Sequence, residues 1–252
     1  MTVNNRSGDL WDANSEWWFA NISENNFQEY SEIILPLSIQ LLAEKKLILD
    51  LGTGTGAIAK QISKDPSQTV IGLDISLKQL LGASRKNPGP LYLQSDSDNL
   101  PFKKGIFDGV LSSMVLEHIE NLEDTACEIA RVIQPHGRWV VIMNHPVFQT
   151  PGSGPVEKKD EKQTGILWQI ADYLNETSDI EEIAEGIRIP YEHRTLSQYF
   201  NTFIQNGFIF TSVLEPALRS DWQGESWQYK KAIPRLLVLV LEKKPFQQTR
   251  DR

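Results

Sequence analysis

The sequence predicts an α/β fold: an open, mostly parallel sheet of seven strands with helices on both faces, an antiparallel last strand, and a helical cap inserted late in the chain. Three observations carry this. Short apolar runs alternate with amphipathic helical patterns between residues 47 and 143, the signature of βαβ units. The first run ends in Asp50-Leu51-Gly52-Thr53-Gly54-Thr55-Gly56-Ala57, an acid and three glycines at a strand-to-helix turn. The last two runs, 208–214 and 236–241, have no helical pattern between them, so they pair as a hairpin at the sheet edge.

Composition narrows the class. A chain of 252 residues with 40% hydrophobic and 23% charged residues suits one α/β domain with an elaboration. No run of eighteen apolar residues occurs, and residues 1–10 hold no apolar signal core, so neither a membrane-inserted segment nor a secretory leader is expected. The single cysteine, Cys127, reads as a packed thiol in a reducing cytoplasm. The net charge of −8 without a basic cluster argues against a nucleic-acid partner. One cysteine and scattered histidines give no metal-ligand spacing.

The elements follow in order. Trp11, Trp17, Trp18 and Phe19 lie among polar residues, in a loop or short helix that either pads the sheet or closes over a site as a lid. Phe27 to Ala43 has helical spacing, with Pro36 predicting a kink or break. Strands are expected at 47–51, 69–73, 91–94, 107–112 and 138–143. A helix from about Gly56 to Ser63 follows the first strand, and the capping box Ser76-Leu77-Lys78-Gln79 opens the next, which stops before Asn87-Pro88-Gly89-Pro90. Another runs from Leu122 to Ile133, closed by Pro135 and Gly137. In the long excursion 145–194, Leu167, Ile170, Ala171 and Leu174, then Ile180, Ile183 and Ala184, suggest short helices. Thr195-Leu196-Ser197-Gln198 opens a last helix that ends at Asn206-Gly207, and a second tryptophan-bearing loop, with Trp222 and Trp227, precedes the final strand.

The acids choose the ligand. Asp50, two residues before Gly52, would repel a pyrophosphate and welcome an ammonium. The stretch resembles motif I, D-x-G-x-G-x-G, of the class I S-adenosylmethionine (SAM) methyltransferases. Asp74 ends the second strand eighteen residues after Gly56, where an acid accepts both hydroxyls of a ribose, in NAD-binding folds as well. Gln94-Ser95-Asp96-Ser97-Asp98-Asn99-Leu100-Pro101-Phe102 is similar to the family's G-D-A-x-x-L-P-F segment, with serines where glycine and alanine are common. There the aspartate takes the adenine amino group and the next backbone N–H a ring nitrogen. Phe107-Asp108-Gly109-Val110, then Leu116-Glu117-His118-Ile119, matches the family's F-D-x-V…L-x-H-I run, with Ser112 and Ser113 at the carboxyl end of the strand and His118 read as structural. The resemblance covers residues 46–144 motif by motif and 195–243 by pattern, and its nearest group is the type 11, ubiquinone/menaquinone-biosynthesis-like one. It implies a Rossmann-like sheet, SAM or its product SAH as cofactor, and a cofactor site of Asp50, Gly52, Thr53, Gly54, Gly56, Asp74, Ile75, Asp96, Ser97, Ser112 and Ser113.

On that reading residues 1–45 are an N-terminal lid and helix, 46–144 the SAM-binding core, 145–194 a cap that holds the substrate, and 195–252 the rest of the sheet. Methyl transfer from a sulfonium needs alignment and exclusion of water, and a base only where the nucleophile must lose a proton. His145 and His193 bracket the cap and are the expected bases, whereas His136 falls in a surface turn. The expected acceptor is a small molecule with an O, N or C nucleophile. The rivals are methylation of tRNA or protein, an NAD-dependent oxidoreductase, and a SAM-binding protein without turnover.

Overall fold

The computed structural model describes residues 6–22, 28–160, 163–217 and 233–245. The loop with Trp222 and Trp227, and Phe27, lie outside the described residues. Seven strands form the main sheet: β1 (Leu47–Leu51), β2 (Thr69–Asp74), β3 (Leu91–Gln94), β4 (Phe107–Ser113), β5 (Ile133–Asn144), and the late β10 (Phe208–Leu214) and β11 (Leu236–Lys243). Their spatial order is β10-β11-β5-β4-β1-β2-β3. The five strands β1 to β5 are parallel, and β11 runs antiparallel to both β5 and β10. The seven-stranded sheet with its antiparallel return is therefore the expected one. β5 starts earlier than expected, at Ile133, because its register with β4 slips between Phe107 and Gly109 and absorbs the Pro135-His136-Gly137 turn as an irregularity.

Strand alternation distributes the core to both faces. Leu49, Trp139, Val141, Leu237 and Leu239 pack under α6 (Leu122–Val132) and α7 (Leu196–Gln205). Their sequence neighbours Ile48, Val140, Ile142, Leu236 and Val238 pack under α3 (Leu35–Leu42) and α4 (Ala57–Ile62). Period-two alternation between two apolar destinations is why these strands read as continuous apolar runs. Both capping boxes form: Ser76 Oγ accepts from Gln79 N at 3.1 Å to open α5 (Leu77–Lys86), and Thr195 Oγ1 accepts from Gln198 N at 3.2 Å to open α7.

The expected kink at Pro36 is a π-helical turn, Tyr30–Ile34, that runs straight into α3. Leu35 N–H donates to the Tyr30 carbonyl, one residue beyond the α-helical partner, and Pro36 sits in the first turn of α3. The wider turn accommodates a proline that supplies no N–H. The tryptophan segment forms two helices, α1 (Arg6–Ala13) and α2 (Ser15–Ile22). Asp12 Oδ1 accepts from Ser76 Oγ at 2.5 Å and from Lys78 N at 3.0 Å, so α1 is tied to the start of α5. Asn14 Nδ2 donates to the Arg188 carbonyl at 2.7 Å, and the buried Phe19 lies flat on Gly82 of α5.

The expected helices of the cap are not there. Residues 154–193 instead form two hairpins, β6 (Gly154–Asp160) with β7 (Gln163–Gln169), and β8 (Thr177–Ala184) with β9 (Ile187–His193). The spacing of Ile180, Ile183 and Ala184 mimics a helix by coincidence. In β9 the alternate residues Ile189, Tyr191 and His193 are buried, and a two-residue Glu185-Gly186 loop joins the strands with Gly186 at φ 73°.

Gly82 offers a test of the lid. A Cβ there would lie 2.2 Å from the Phe19 ring, so Gly82→Ala must push α2 off α5. Alanine inside a helix is itself favoured over glycine by about 0.5–1 kcal/mol. Gly82→Ala is therefore expected to keep the melting midpoint within a few degrees while red-shifting the tryptophan emission. An unchanged emission spectrum would mean that the lid is not seated through Phe19.

Candidate active site

β1 ends at Leu51, and the chain turns through Gly52 with φ 70°. The amides of Gly52 and Thr53 both donate to the Leu73 carbonyl, at 2.8 and 2.9 Å, and Gly54 N donates to Asp74 Oδ2 at 2.8 Å. The loop is thus laced to the end of β2. A Cβ on Gly52 would strike Val115 at 2.3 Å and one on Gly56 would strike the Tyr92 hydroxyl at 2.3 Å, whereas one on Gly54 would meet nothing within 4 Å. Gly54 is the glycine that faces open space, and the other two admit protein neighbours.

Asp50 is 2% exposed, and Thr53 Oγ1 donates to its Oδ2 at 2.6 Å. Burial, reinforced by the nearby Asp74 carboxylate, pushes the Asp50 carboxyl up to about 7 against the lowering effect of the Thr53 bond. Asp74 is also buried and accepts from Ser76 N at 2.9 Å as well as from Gly54 N. Burial still raises its carboxyl, with the backbone bonds opposing. Asp96 is exposed at the end of β3 and accepts from Ser97 N at 2.7 Å.

These residues surround one cavity of about 1130 Å³, at the carboxyl ends of the parallel strands. Asp50, Gly52, Thr53, Gly54, Asp74, Ile75, Asp96, Ser97 and Ser113 all line it. Gly56 and Ser112 do not line it. Gly56 is covered by Tyr92, and the buried Ser112 turns its hydroxyl to the opposite face of the sheet, where it accepts from Trp139 Nε1 at 3.0 Å. That is the ordinary alternation of adjacent strand residues.

The cavity continues past the glycine loop under the lid and the cap. Trp11, Trp17 and Trp18 form its roof, with Trp17 and Trp18 edge to face at 5.0 Å. Ile183 and Ile189 of the β8–β9 hairpin and Phe148 add apolar wall. Polar groups stand at the far side. Arg235, with Nη2 3.6 Å from Glu29 Oε2, donates from Nη1 to Asn144 Oδ1 and lies 4.7 Å over the Phe148 ring. Gln149 reaches Glu181 at 3.5 Å.

The histidines are not where the spacing suggested. Neither His145 nor His193, the expected bases, is among the residues that line the cavity. His145 is 3% exposed, its Nε2 lies 3.1 Å from Glu215 Oε1, and its Nδ1 accepts from Val147 N at 3.2 Å. His193 is 1% exposed and donates from Nε2 to the Tyr173 carbonyl at 2.9 Å. His145 is thereby tied to Glu215, beyond the cap, and His193 to Tyr173 within it. The histidine that does line the cavity is His118, on the 3₁₀ turn Leu116–His118 after β4. Its apolar neighbours suggested a packed ring, and the turn instead buries Leu116 and Glu117 and sends His118 to the cavity.

The residues present fit the cofactor that the motifs imply. Ser113 Oγ and Gln79 Oε1 line the cavity, are buried, and have no hydrogen-bond partner in the protein. Buried polar atoms of this kind are ordinarily satisfied, here by a ligand. Four carboxylates, those of Asp50, Asp74, Asp96 and Asp98, line the same part of the cavity. SAM, with a sulfonium and an ammonium, suits that wall, and a dinucleotide pyrophosphate does not.

Comparisons with known proteins agree. Residues 49–141 match the Methyltransf_11 family, a methyltransferase domain. The ubiquinone/menaquinone biosynthesis C-methyltransferase UbiE of Wigglesworthia glossinidia brevipalpis is 34% identical over 111 residues, which are 40% of this chain and 44% of that protein. The match thus spans less than half of that relative. A solved structure from Listeria monocytogenes, described as a candidate S-adenosylmethionine-dependent methyltransferase, is 26% identical with a TM-score of 0.67, covering 79% of this chain and 90% of that one. The S-adenosylmethionine-dependent methyltransferase of Mesorhizobium loti has the same fold at 24% identity and a TM-score of 0.69, over 87% of this chain and 99% of that one. Residues 49–141 are thus a methyltransferase domain, and sheet order, glycine loop and acid series together give the chain the fold of the S-adenosylmethionine-dependent methyltransferases it is similar to.

Proposed function

We propose that the chain transfers a methyl group from SAM to a small-molecule acceptor bound in the same cavity, under the lid of residues 1–45 and the cap of residues 145–194. One observation carries this. The space beside the glycine loop runs on, uninterrupted, beneath α1, α2 and the β8–β9 hairpin, to about 1130 Å³ in all. That exceeds the range of roughly 300–1,000 Å³ of ordinary ligand pockets, so it accommodates a cofactor and an acceptor together. The roof of tryptophans and the isoleucine wall suit an apolar or aromatic acceptor, from which water is excluded.

Bound SAM supplies an activated methyl group and its own leaving group. The protein's part is to bind and align. Asp74 is placed to accept from ribose hydroxyls, Asp96 and the Ser97 amide to read adenine, and Asp50 with Ser113 to receive the amino-acid end. The sequence likeness to the quinone C-methyltransferase UbiE spans less than half of either chain, so the acceptor is not inherited from that name. The lid and both cap hairpins lie outside the matched residues 49–141. A single cysteine and a SAM-dependent reaction favour a cytoplasmic setting.

Asp74→Ala is expected to weaken SAH binding by about 1–3 kcal/mol, roughly 5- to 150-fold, through loss of charge-assisted hydrogen bonds. Calorimetry checks it, and unchanged affinity would remove Asp74 from the ribose site.

Asp50 gives a pH test. Its folded pKa, about 7, lies above the ordinary carboxylate value, so the folded protein holds a proton that the unfolded chain has already lost. Stability from this group is therefore greatest at low pH and falls as pH rises from about 4 towards 7. Asp50→Asn cannot ionise and still accepts from Thr53. It is expected to raise the ligand-free melting midpoint most above pH 7, with the gain fading towards pH 4, and to weaken SAM more than methylthioadenosine, which lacks the ammonium. A midpoint lowered at pH 8 would show that the ionised carboxylate is stabilising instead.

A further inference from the structure

We infer that His118 is the base of this methyltransferase, and that the acceptor is therefore a protic nucleophile: a phenol or enol hydroxyl, or an ammonium. The inference rests on the methyl-transfer reading above. His118 is the one histidine among the described residues that lines the cavity. Its Nδ1 lies 2.6 Å from the carbonyl oxygen of Pro190, in β9. A carbonyl only accepts, so Nδ1 carries the proton, and the neutral ring must leave Nε2 as an unprotonated acceptor. Among the described residues only Nδ1 has a hydrogen-bond partner, and His118 is one of the residues that line the cavity.

The surroundings hold this arrangement. Trp11 of the lid meets the His118 ring edge-on at 5.3 Å, which limits its rotation. Arg194 donates to the carbonyls of Leu116, Ile119 and Glu120 at 3.3, 2.6 and 2.7 Å, gripping the turn that carries His118. A ring fixed in one tautomer by a backbone carbonyl and seated on a clamped turn beside the cavity has the features of a positioned base.

The chemistry balances without a further reactant. The acceptor's X–H proton passes to His118 Nε2. The pair left on X forms the bond to the methyl carbon, and the carbon–sulfur pair stays on the departing thioether. The imidazolium then releases its proton to water. An aprotic nucleophile, such as a thioether or a pyridine nitrogen, would have no use for this base.

The test uses the full chain with SAH or labelled SAM. With ¹⁵N-histidine-labelled protein bound to SAH, His118 is expected in the Nδ1–H form, and an Nε2–H form would overturn the inference whatever the activity. Single-turnover methyl transfer is then followed with three protic probes (catechol, 1,4-naphthalenediol and 2-phenylethylamine) and two aprotic ones (pyridine and dimethyl sulfide). At least one protic probe is expected to be methylated, with a rate that falls by about 10²–10⁴-fold in His118→Ala, is restored in part by added imidazole, and accompanies an SAH affinity changed less than about twofold. Transfer to no protic probe, preference for an aprotic one, or a His118→Ala rate equal to wild type would each overturn it. Failure of the wild-type chain to bind SAH at all would instead overturn the methyl-transfer reading on which the inference stands.

Discussion

Two amides that share one carbonyl organise the site. Gly52 N–H and Thr53 N–H both close on the Leu73 oxygen, and Gly54 N–H closes on the Asp74 carboxylate. These bonds join the carboxyl ends of two neighbouring parallel strands and hold the chain in a turn that runs through positive φ. Backbone groups at the end of a strand would otherwise be left unpaired in a buried place, which is costly. Satisfying them this way leaves a floor in which Asp50, Asp74 and the open side of Gly54 face one volume. The remaining elements meet that floor: β3 brings Asp96, β4 and its 3₁₀ turn bring Ser113 and His118, and the lid and cap close the top.

The closure is built from few contacts of high directionality. Asp12 bonds to Ser76 and Lys78 at the start of α5, the element that follows the ribose-side acid. Asn14 bonds to Arg188 in the cap, and Phe19 is seated on a glycine. The N-terminal helices thereby touch α5 and the β8–β9 hairpin at once. Two helices of eight residues each would not be stable alone in water, so their order depends on these tertiary contacts. Elements with few buried contacts open most readily, which suits a cover over an exchangeable ligand.

Much of this was legible in the sequence, for identifiable reasons. The parallel strands bury both faces and so read as apolar runs, the two capping boxes announce α5 and α7, and the glycine–acid series marks the cofactor floor. These are local signals. A period of 3.6 and a period of two overlap over short stretches such as Ile180 to Ala184, so the strands of the cap resemble helices in sequence, and the two-residue Glu185-Gly186 loop is the local sign of the hairpin. His145 and His193 were favoured because they flank the cap in sequence, yet each is spent on a backbone or carboxylate partner that secures it. His118 could not be chosen from the sequence, since its defining partner, Pro190, is 72 residues away on a hairpin that was not foreseen.

The distribution of charge in the cavity follows from the same division of labour. On the cofactor side the carboxylates outnumber any cation, and burial alone would protonate the deepest of them. On the far side Glu29 and Asn144 engage Arg235, whose burial lowers its pKa while Glu29, Glu117 and Glu181 raise it. Its charge is answered within the protein and is not left over for an acidic acceptor. A negative floor that is unfavourable when empty becomes favourable when a cation lies on it, because an opposite charge in a low-dielectric site restores the ionised form. Burial raises the Asp50 carboxyl in the ligand-free protein, so a cation bound beside it would favour the ionised form that burial opposes. That opposition is common at functional sites, and it explains why an acid stands 2% exposed beneath a glycine loop where an apolar residue would pack at less cost.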